Sequence, residues 1–135
     1  MTRDFVEKYY LDQDYNCAET LLLAANEAYG LELPEGTHRL MSAFGGGMGC
    51  GRACGAVCGA LAALGYQRAD GRAHATEGFR DLCAGFVKKV ESECGSIECN
   101  ALMARYKKED VRCLDTVLCI ADLLDAYLRE TAQEG

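Results

Sequence analysis

The stretch Phe44-Gly-Gly-Gly-Met-Gly-Cys-Gly-Arg-Ala-Cys-Gly-Ala-Val-Cys-Gly-Ala60 decides how the rest of the chain is read. It sets Cys50, Cys54 and Cys58 in an i, i+4, i+8 series among glycines. Glycine lets backbone approach closely and take positive φ, as a sharp turn into a site requires. Beyond Arg52 the glycines thin, and the residues from Ala53 to Leu64 predict a helix stopped by Gly65. Built largely of Gly, Ala, Val and Cys, that helix is slim enough for its neighbours to pack tightly against it. The stretch reads as a thiol centre on a buried helix of small residues.

Working outward, every other periodic segment is helical. Phe5, Val6, Tyr9 and Tyr10 share one face of a short helix over Arg3–Leu11, and Tyr9, Tyr10 and Tyr15 cluster as core or as a dimer surface. Asn16 caps a second helix with Glu19 three residues on, and Asp14 and Glu19 read as helix-start carboxylates. Its apolar face is Leu21, Leu22, Ala25, Ala28 and Tyr29, ended by Gly30. Pro34 opens a third helix through Leu40, Met41 and Phe44. Ala69–Ala73 is a loop. A helix of about His74–Cys94 carries Phe79, Leu82, Cys83, Phe86, Val87, Val90 and Cys94 on one stripe, which makes Cys83 and Cys94 core residues. Ser96 caps a short helix with Cys99 in its first turn. The last helix starts near Cys113 and buries Leu114, Val117, Leu118, Ala121, Leu124 and Leu128, with Cys119 off that stripe. No strand-like alternation and no repeat interrupts this pattern. The expected fold is all-α: one domain over 1–135, a bundle of about six helices around the small-residue helix.

Composition narrows the function. Fourteen basic against 21 acidic residues give a net charge of −7, which argues against nucleic acid or an anionic membrane as partner. The opening Met1-Thr-Arg-Asp-Phe-Val-Glu-Lys is charged throughout, unlike a secretory segment. The longest uncharged helix-compatible run, Ala53–Gln67, is shorter than the roughly 18–20 residues that span a bilayer. A cytoplasmic protein without membrane insertion is expected. In that compartment nine cysteines point to thiol chemistry or metal binding, and an odd number argues against a disulfide scaffold. The only histidines, His38 and His74, are isolated and read as solvated surface. Gly47-x-Gly49-x-Gly51 resembles a phosphate-cradling loop, but it follows a helix and lacks Gly-Lys-Ser/Thr.

One regularity remains. Cys17, Cys54, Cys99 and Cys113 each fall in or beside the first turn of a different expected helix. Free N–H groups and partial positive charge at a helix start stabilise thiolate, which is both the nucleophile of disulfide exchange and the metal-binding form.

The same residues carry a family resemblance. Asn16-Cys17-Ala18-Glu19, the glycine run leading to Cys54-Gly55-Ala56-Val57-Cys58-Gly59-Ala60, Gly95-Ser96-Ile97-Glu98-Cys99, and Cys113 follow one another over nearly the whole chain. In this the chain resembles the small redox-active proteins named for a C…GCAxxG…C…C cysteine pattern, with Cys-Gly-Ala standing where the name has Gly-Cys-Ala. The resemblance implies redox activity without fixing a reaction, and it puts Cys17, Cys54, Cys99 and Cys113 in the places of the four characteristic cysteines. Cys50, Cys58, Cys83, Cys94 and Cys119 lie outside that set.

Two mechanisms suit four such thiols. In a thiol–disulfide oxidoreductase, Cys54 attacks, because the glycine run exposes one side of it and Arg52 stands close by to stabilise thiolate. Cys17 or Cys99 then resolves the mixed disulfide, with a redox partner protein or a small thiol as the other reactant. Alternatively Cys17, Cys54, Cys99 and Cys113 hold zinc or an iron–sulfur cluster, with backbone N–H groups of Gly49, Cys50, Gly51 and Gly55 donating to sulfur, although close C-x-x-C pairs are missing. A third class is a structural or interaction protein with inert thiols. Either way the four cysteines are expected to meet at one end of the bundle.

Overall fold

In the computed structural model, which describes residues 1–132, five α-helices form an all-α bundle: α1 (Cys17–Tyr29), α2 (Gly55–Arg68), α3 (Phe79–Cys94), α4 (Cys99–Tyr106) and α5 (Leu114–Glu130). The last three positions of the expected 1–135 domain lie outside the described residues. Between them lie 3-10 turns at Thr2–Phe5, Thr37–Phe44 and Ala73–Ala75, a π turn at Lys8–Asp12, and the glycine run Gly47–Gly51, whose backbone takes left-handed angles at Met48 and Gly49. The described residues contain no β-strand, only two isolated bridges. No helix among them is long and apolar enough to cross a membrane.

Helix α2 is central, packed against α1, α3 and α5. Its small residues set the spacing. A Cβ added to Gly59 would stand 2.5 Å from the Ala18 carbonyl oxygen, so α1 and α2 meet backbone against backbone. Larger side chains from the surrounding helices, among them Leu21, Phe86, Leu102, Ile120 and Leu124, are fully or almost fully buried around that slim axis. Each stabilises the fold by roughly 1.5–3 kcal/mol.

The ends of α1 follow from its sequence. Asn16 Oδ1 accepts from the Glu19 N–H at 2.9 Å, and Glu19 Oε1 accepts from the Asn16 N–H at 3.1 Å, a complete capping box. Gly30 closes the helix in the left-handed conformation. Asp14 takes no part in the cap; its carboxylate pairs with Arg112 at 3.0 Å.

Five expectations are corrected. The small-residue helix does not stop at Gly65 but runs to Arg68, with the Ala69 N–H donating to the Gly65 carbonyl at 2.8 Å. Glu98, not Ser96, stands at the N-cap of α4, and the Ser96 hydroxyl accepts from the Glu98 N–H at 2.9 Å just outside the helix. Helix α3 begins at Phe79, not near His74, because Gly78 turns the chain at φ 73° and residues 73–75 form a separate 3-10 turn. The third segment is a 3-10 helix, so its side chains repeat every three residues; Met41 is buried and Leu40 is 75 % exposed. The buried face of α5 is wider than its aliphatic stripe, since Thr116, Ile120, Asp125 and Tyr127 are buried too.

Asp125 explains part of that width. It is fully buried, and its carboxylate accepts from the Thr2 N–H at 2.9 Å, from the Thr2 hydroxyl at 2.6 Å and from the Tyr29 hydroxyl. The N-terminal turn and the end of α1 are thus tied to α5. Asp125→Ala strands the two donors of buried Thr2 and releases the Tyr29 hydroxyl, and should cost about 3 kcal/mol in chemical denaturation, whereas a loss under about 0.5 kcal/mol would show that the anchor is dispensable.

Candidate functional site

Cys17 is the first residue of α1 and Cys99 the first of α4, while Cys54 and Cys113 immediately precede α2 and α5. Backbone contacts bring these four helix starts together. The Cys54 N–H donates to the Ile97 carbonyl at 2.7 Å, and the Cys99 N–H donates to the Arg52 carbonyl at 2.6 Å, around an antiparallel bridge of Ala53 with Glu98. Gly47 permits this approach, because a Cβ there would fall 2.5 Å from the Cys99 Cβ. Gly55 does the same for α1: a Cβ on it would lie 2.5 Å from the Cys17 Sγ and 2.8 Å from the Phe44 carbonyl oxygen. Cys113 is fixed from the N-terminal segment. Its N–H donates to the Tyr10 hydroxyl oxygen at 3.1 Å, and the neighbouring Arg112 guanidinium donates to the Tyr10 carbonyl and to Asp14, each at 3.0 Å.

All four cysteines line one cavity of about 20 Å³, together with Gly55, Leu102, Met103, Thr116 and Val117. Cys17, Cys99 and Cys113 also border a larger, open cavity of about 280 Å³, whose wall includes Tyr10, Asp14, Lys107 and Arg112. Cys54 borders only the inner one, and is the deepest of the four. The inner wall is apolar apart from the thiols and the Thr116 hydroxyl, which is buried and has no hydrogen-bond partner among the described residues.

Burial governs the acidity of these thiols. It pushes Cys54 up to about 12, against the N–H groups of Val57 and Ala56, and the neighbouring Cys17 and Cys99 push the same way. Burial also raises Cys17, against the Gly46 N–H, with Cys113 adding to the rise. Cys99 is raised by burial and by Cys17 and Cys113, while Lys107 pulls it down. The expected lowering of thiol pKa at helix starts is therefore overturned at Cys17, Cys54 and Cys99. A helix start contributes roughly 0.3–1 kcal/mol to an anion, and desolvation in an apolar cavity exceeds that.

Two further expectations change. The glycine run does not expose Cys54, which is only 4 % accessible, because the run folds back against Cys99 instead of opening to solvent. The Arg52 side chain is exposed and does not figure among the groups acting on the Cys54 sulfur; Arg52 contributes through its backbone carbonyl. Of the four expected backbone donors, Gly55 borders the inner cavity, while Gly49, Cys50 and Gly51 border neither cavity. Cys50 is exposed, with its Sγ 3.7 Å from the Gly47 carbonyl oxygen. The N–H groups acting on sulfur are those of Gly46, Ala18 and Cys17 itself at Cys17, and of Val57 and Ala56 at Cys54. Tyr10, read from the sequence as core or dimer surface, holds Cys113 through its hydroxyl; Lys107 and Thr116 carry no sequence signal that distinguishes them from other surface or core positions.

The remaining cysteines divide. Cys58, one turn into α2, is half-buried, and its thiol is raised by that burial and by nearby Cys17. Cys83 is half-buried against the core. Cys94 and Cys119 touch each other, away from the four-thiol cavity. All nine are free thiols. Among the described residues no three His, Cys, Asp or Glu side chains stand in a metal-ligating arrangement.

A helical bundle that gathers four separated cysteines around one cavity defines a small thiol protein. The family model described as Putative redox-active protein (C_GCAxxG_C_C) matches residues 15–127, and the chain belongs to that family. No curated protein and no solved structure matches it.

Two outcomes test this geometry. Gly55→Ala forces a methyl group onto the Cys17 sulfur and the Phe44 carbonyl, and should cost about 2 kcal/mol while separating the two helix starts; wild-type stability would contradict the contact. Raised thiol pKa values also make a pH prediction. The folded state holds the Cys17, Cys54 and Cys99 protons more tightly than the unfolded chain, whose thiols titrate near about 8.5. The associated stability is whole below that pH and lost as pH rises through the folded values, towards about 12 for Cys54. Thermal melts in reductant should show the melting temperature falling above about pH 9, less steeply in Cys54→Ala. Identical curves for the two proteins would contradict the burial argument.

Proposed function

We propose that this chain is a thiol–disulfide redox protein whose outer pair, Cys113 and Cys17, reacts with a small disulfide entering the open cavity. The observation that supports this is the shared lining: four thiols surround one inner cavity, and three of them also border the open one. Cys113 is the attacking thiol. It is half-buried, it borders both cavities, and it stands at a helix start beside Arg112. The deeply buried Cys54 suits an inner role better than the attacking role its sequence context suggests.

The Cys113 thiolate attacks one sulfur of a disulfide R–S–S–R, forming Cys113–S–S–R and expelling RS⁻, which takes up a proton. Cys17 then gives up its proton and attacks the Cys113 sulfur, expelling the second RS⁻. The chain ends with a Cys17–Cys113 disulfide, oxidised by two electrons, and R–S–S–R is reduced to two RSH. Cys54 and Cys99, held side by side by the backbone bridge, are the inner pair and are reached by exchange from the outer one. A dithiol that cycles between reduced and oxidised forms suits a reducing compartment, so the cytoplasm is the proposed location.

A single metal ion on the four thiols is the second reading. The observation behind it is that all four thiols line one small cavity; because no three of them stand in ligating positions among the described residues, metal binding would need the sulfurs to draw together. An iron–sulfur cluster is larger and needs the helix starts to move apart.

Incubation of the reduced chain with oxidised glutathione tests the first reading. A mass loss of about 2 Da, a Cys17–Cys113 link on peptide mapping, and exchange at least about tenfold slower in Cys113→Ser are expected. Free Cys17 and Cys113 at every glutathione ratio, or wild-type exchange in Cys113→Ser, would overturn it. One equivalent of zinc or iron in protein purified without oxygen, with all four thiols protected from alkylation, would establish the second reading instead.

A further inference from the structure

Away from the four-thiol site, the last residue of α3 and the middle of α5 place two cysteines against each other. The sulfurs of Cys94 and Cys119 are 3.4 Å apart, with either as hydrogen-bond donor, although 25 positions separate them in sequence. Neither borders the four-thiol cavities. We propose that Cys94 and Cys119 form a second, independent dithiol, which peroxide converts to a disulfide that ties α3 to α5.

The contact is already at van der Waals range, and a bond of about 2.05 Å needs only a small further approach of flexible thiol ends. The surroundings favour that approach. The backbone around Cys94 is held in place, since the Arg105 guanidinium donates to the Cys94 carbonyl at 2.8 Å and Gly95 ends α3 in the left-handed conformation. Cys94 is buried and Cys119 half-buried, so an oxidant reaches Cys119 first. Hydrogen peroxide is small enough to enter. The Cys119 thiolate attacks one peroxide oxygen and becomes a sulfenic acid, expelling hydroxide, which takes up the thiol proton as water. The Cys94 sulfur then attacks the Cys119 sulfur, and the sulfenic hydroxyl leaves with the Cys94 proton as a second water. In sum, two thiols and one hydrogen peroxide give one disulfide and two waters. Burial and the nearby Cys94 push the Cys119 thiol up to about 12, so little thiolate is present at neutral pH and the reaction is slow there, faster as pH rises.

The test treats the reduced full-length chain with hydrogen peroxide, blocks remaining thiols in denaturant, and maps disulfides by mass spectrometry after cleavage at glutamate. Cleavage after Glu93 and Glu98 separates Cys94 from Cys99, and tandem fragmentation separates Cys119 from Cys113. A Cys94–Cys119 link in wild type, its loss in Cys119→Ser, and a melting temperature raised by about 10 °C on oxidation of wild type but not of Cys119→Ser are the expected results. Cys94 and Cys119 recovered as blocked free thiols, or Cys94 recovered in a bond to any other cysteine, would overturn the proposal. The wild-type map decides the matter even if Cys119→Ser fails to fold.

Discussion

The structure depends on one close contact, that of the Cys17 sulfur with the bare Cα of Gly55. Nothing larger than hydrogen fits between them. That contact fixes the start of α1 against the start of α2, and Gly59 continues the same approach one turn further on. Once these two helices are seated, the run from Gly45 to Arg52 must turn back across their ends. It meets α4 through Gly47 and the Ala53–Glu98 bridge, and so delivers Cys99 beside Cys54. Cys113 is brought in from the opposite side by Tyr10 and Arg112. Glycine in this chain is what permits assembly of a site, more than what gives a loop freedom.

The same assembly sets the chemistry. Four thiols packed together at helix starts experience two opposed effects: N–H groups and helix dipoles favour thiolate, while the apolar cavity and the neighbouring sulfurs disfavour it. Burial wins at Cys17, Cys54 and Cys99. Cys17, Cys54 and Cys99 therefore favour their protonated forms, and Cys17 and Cys99, with Cys113, also border the open cavity. The four cysteines differ in access: Cys54 borders only the inner cavity, while Cys17, Cys99 and Cys113 also border the open one.

Much of this was legible in the sequence. The capping box of Asn16 and Glu19, the slim helix after Arg52 and the stripe of α5 all follow from local rules, and together they predict an all-α bundle with a cysteine at each of four helix starts. What stayed hidden is non-local. The side on which the glycine run folds depends on its contact with Cys99, so the burial of Cys54 could not be read from the run itself. The 3-10 winding of Thr37–Phe44, which leaves Leu40 in solvent, shares its apolar residues with an ordinary helix. Cys119 fell off its helix stripe because its partner is Cys94 on α3, a contact that no periodicity reveals.

Anomalous X-ray diffraction from crystals of the reduced protein locates its sulfur atoms directly. The sulfurs of Cys17, Cys54, Cys99 and Cys113 should surround one cavity, with Cys17 against Gly55 and Cys54 innermost. A density map that places any one of these four sulfurs in a different part of the bundle would contradict that arrangement.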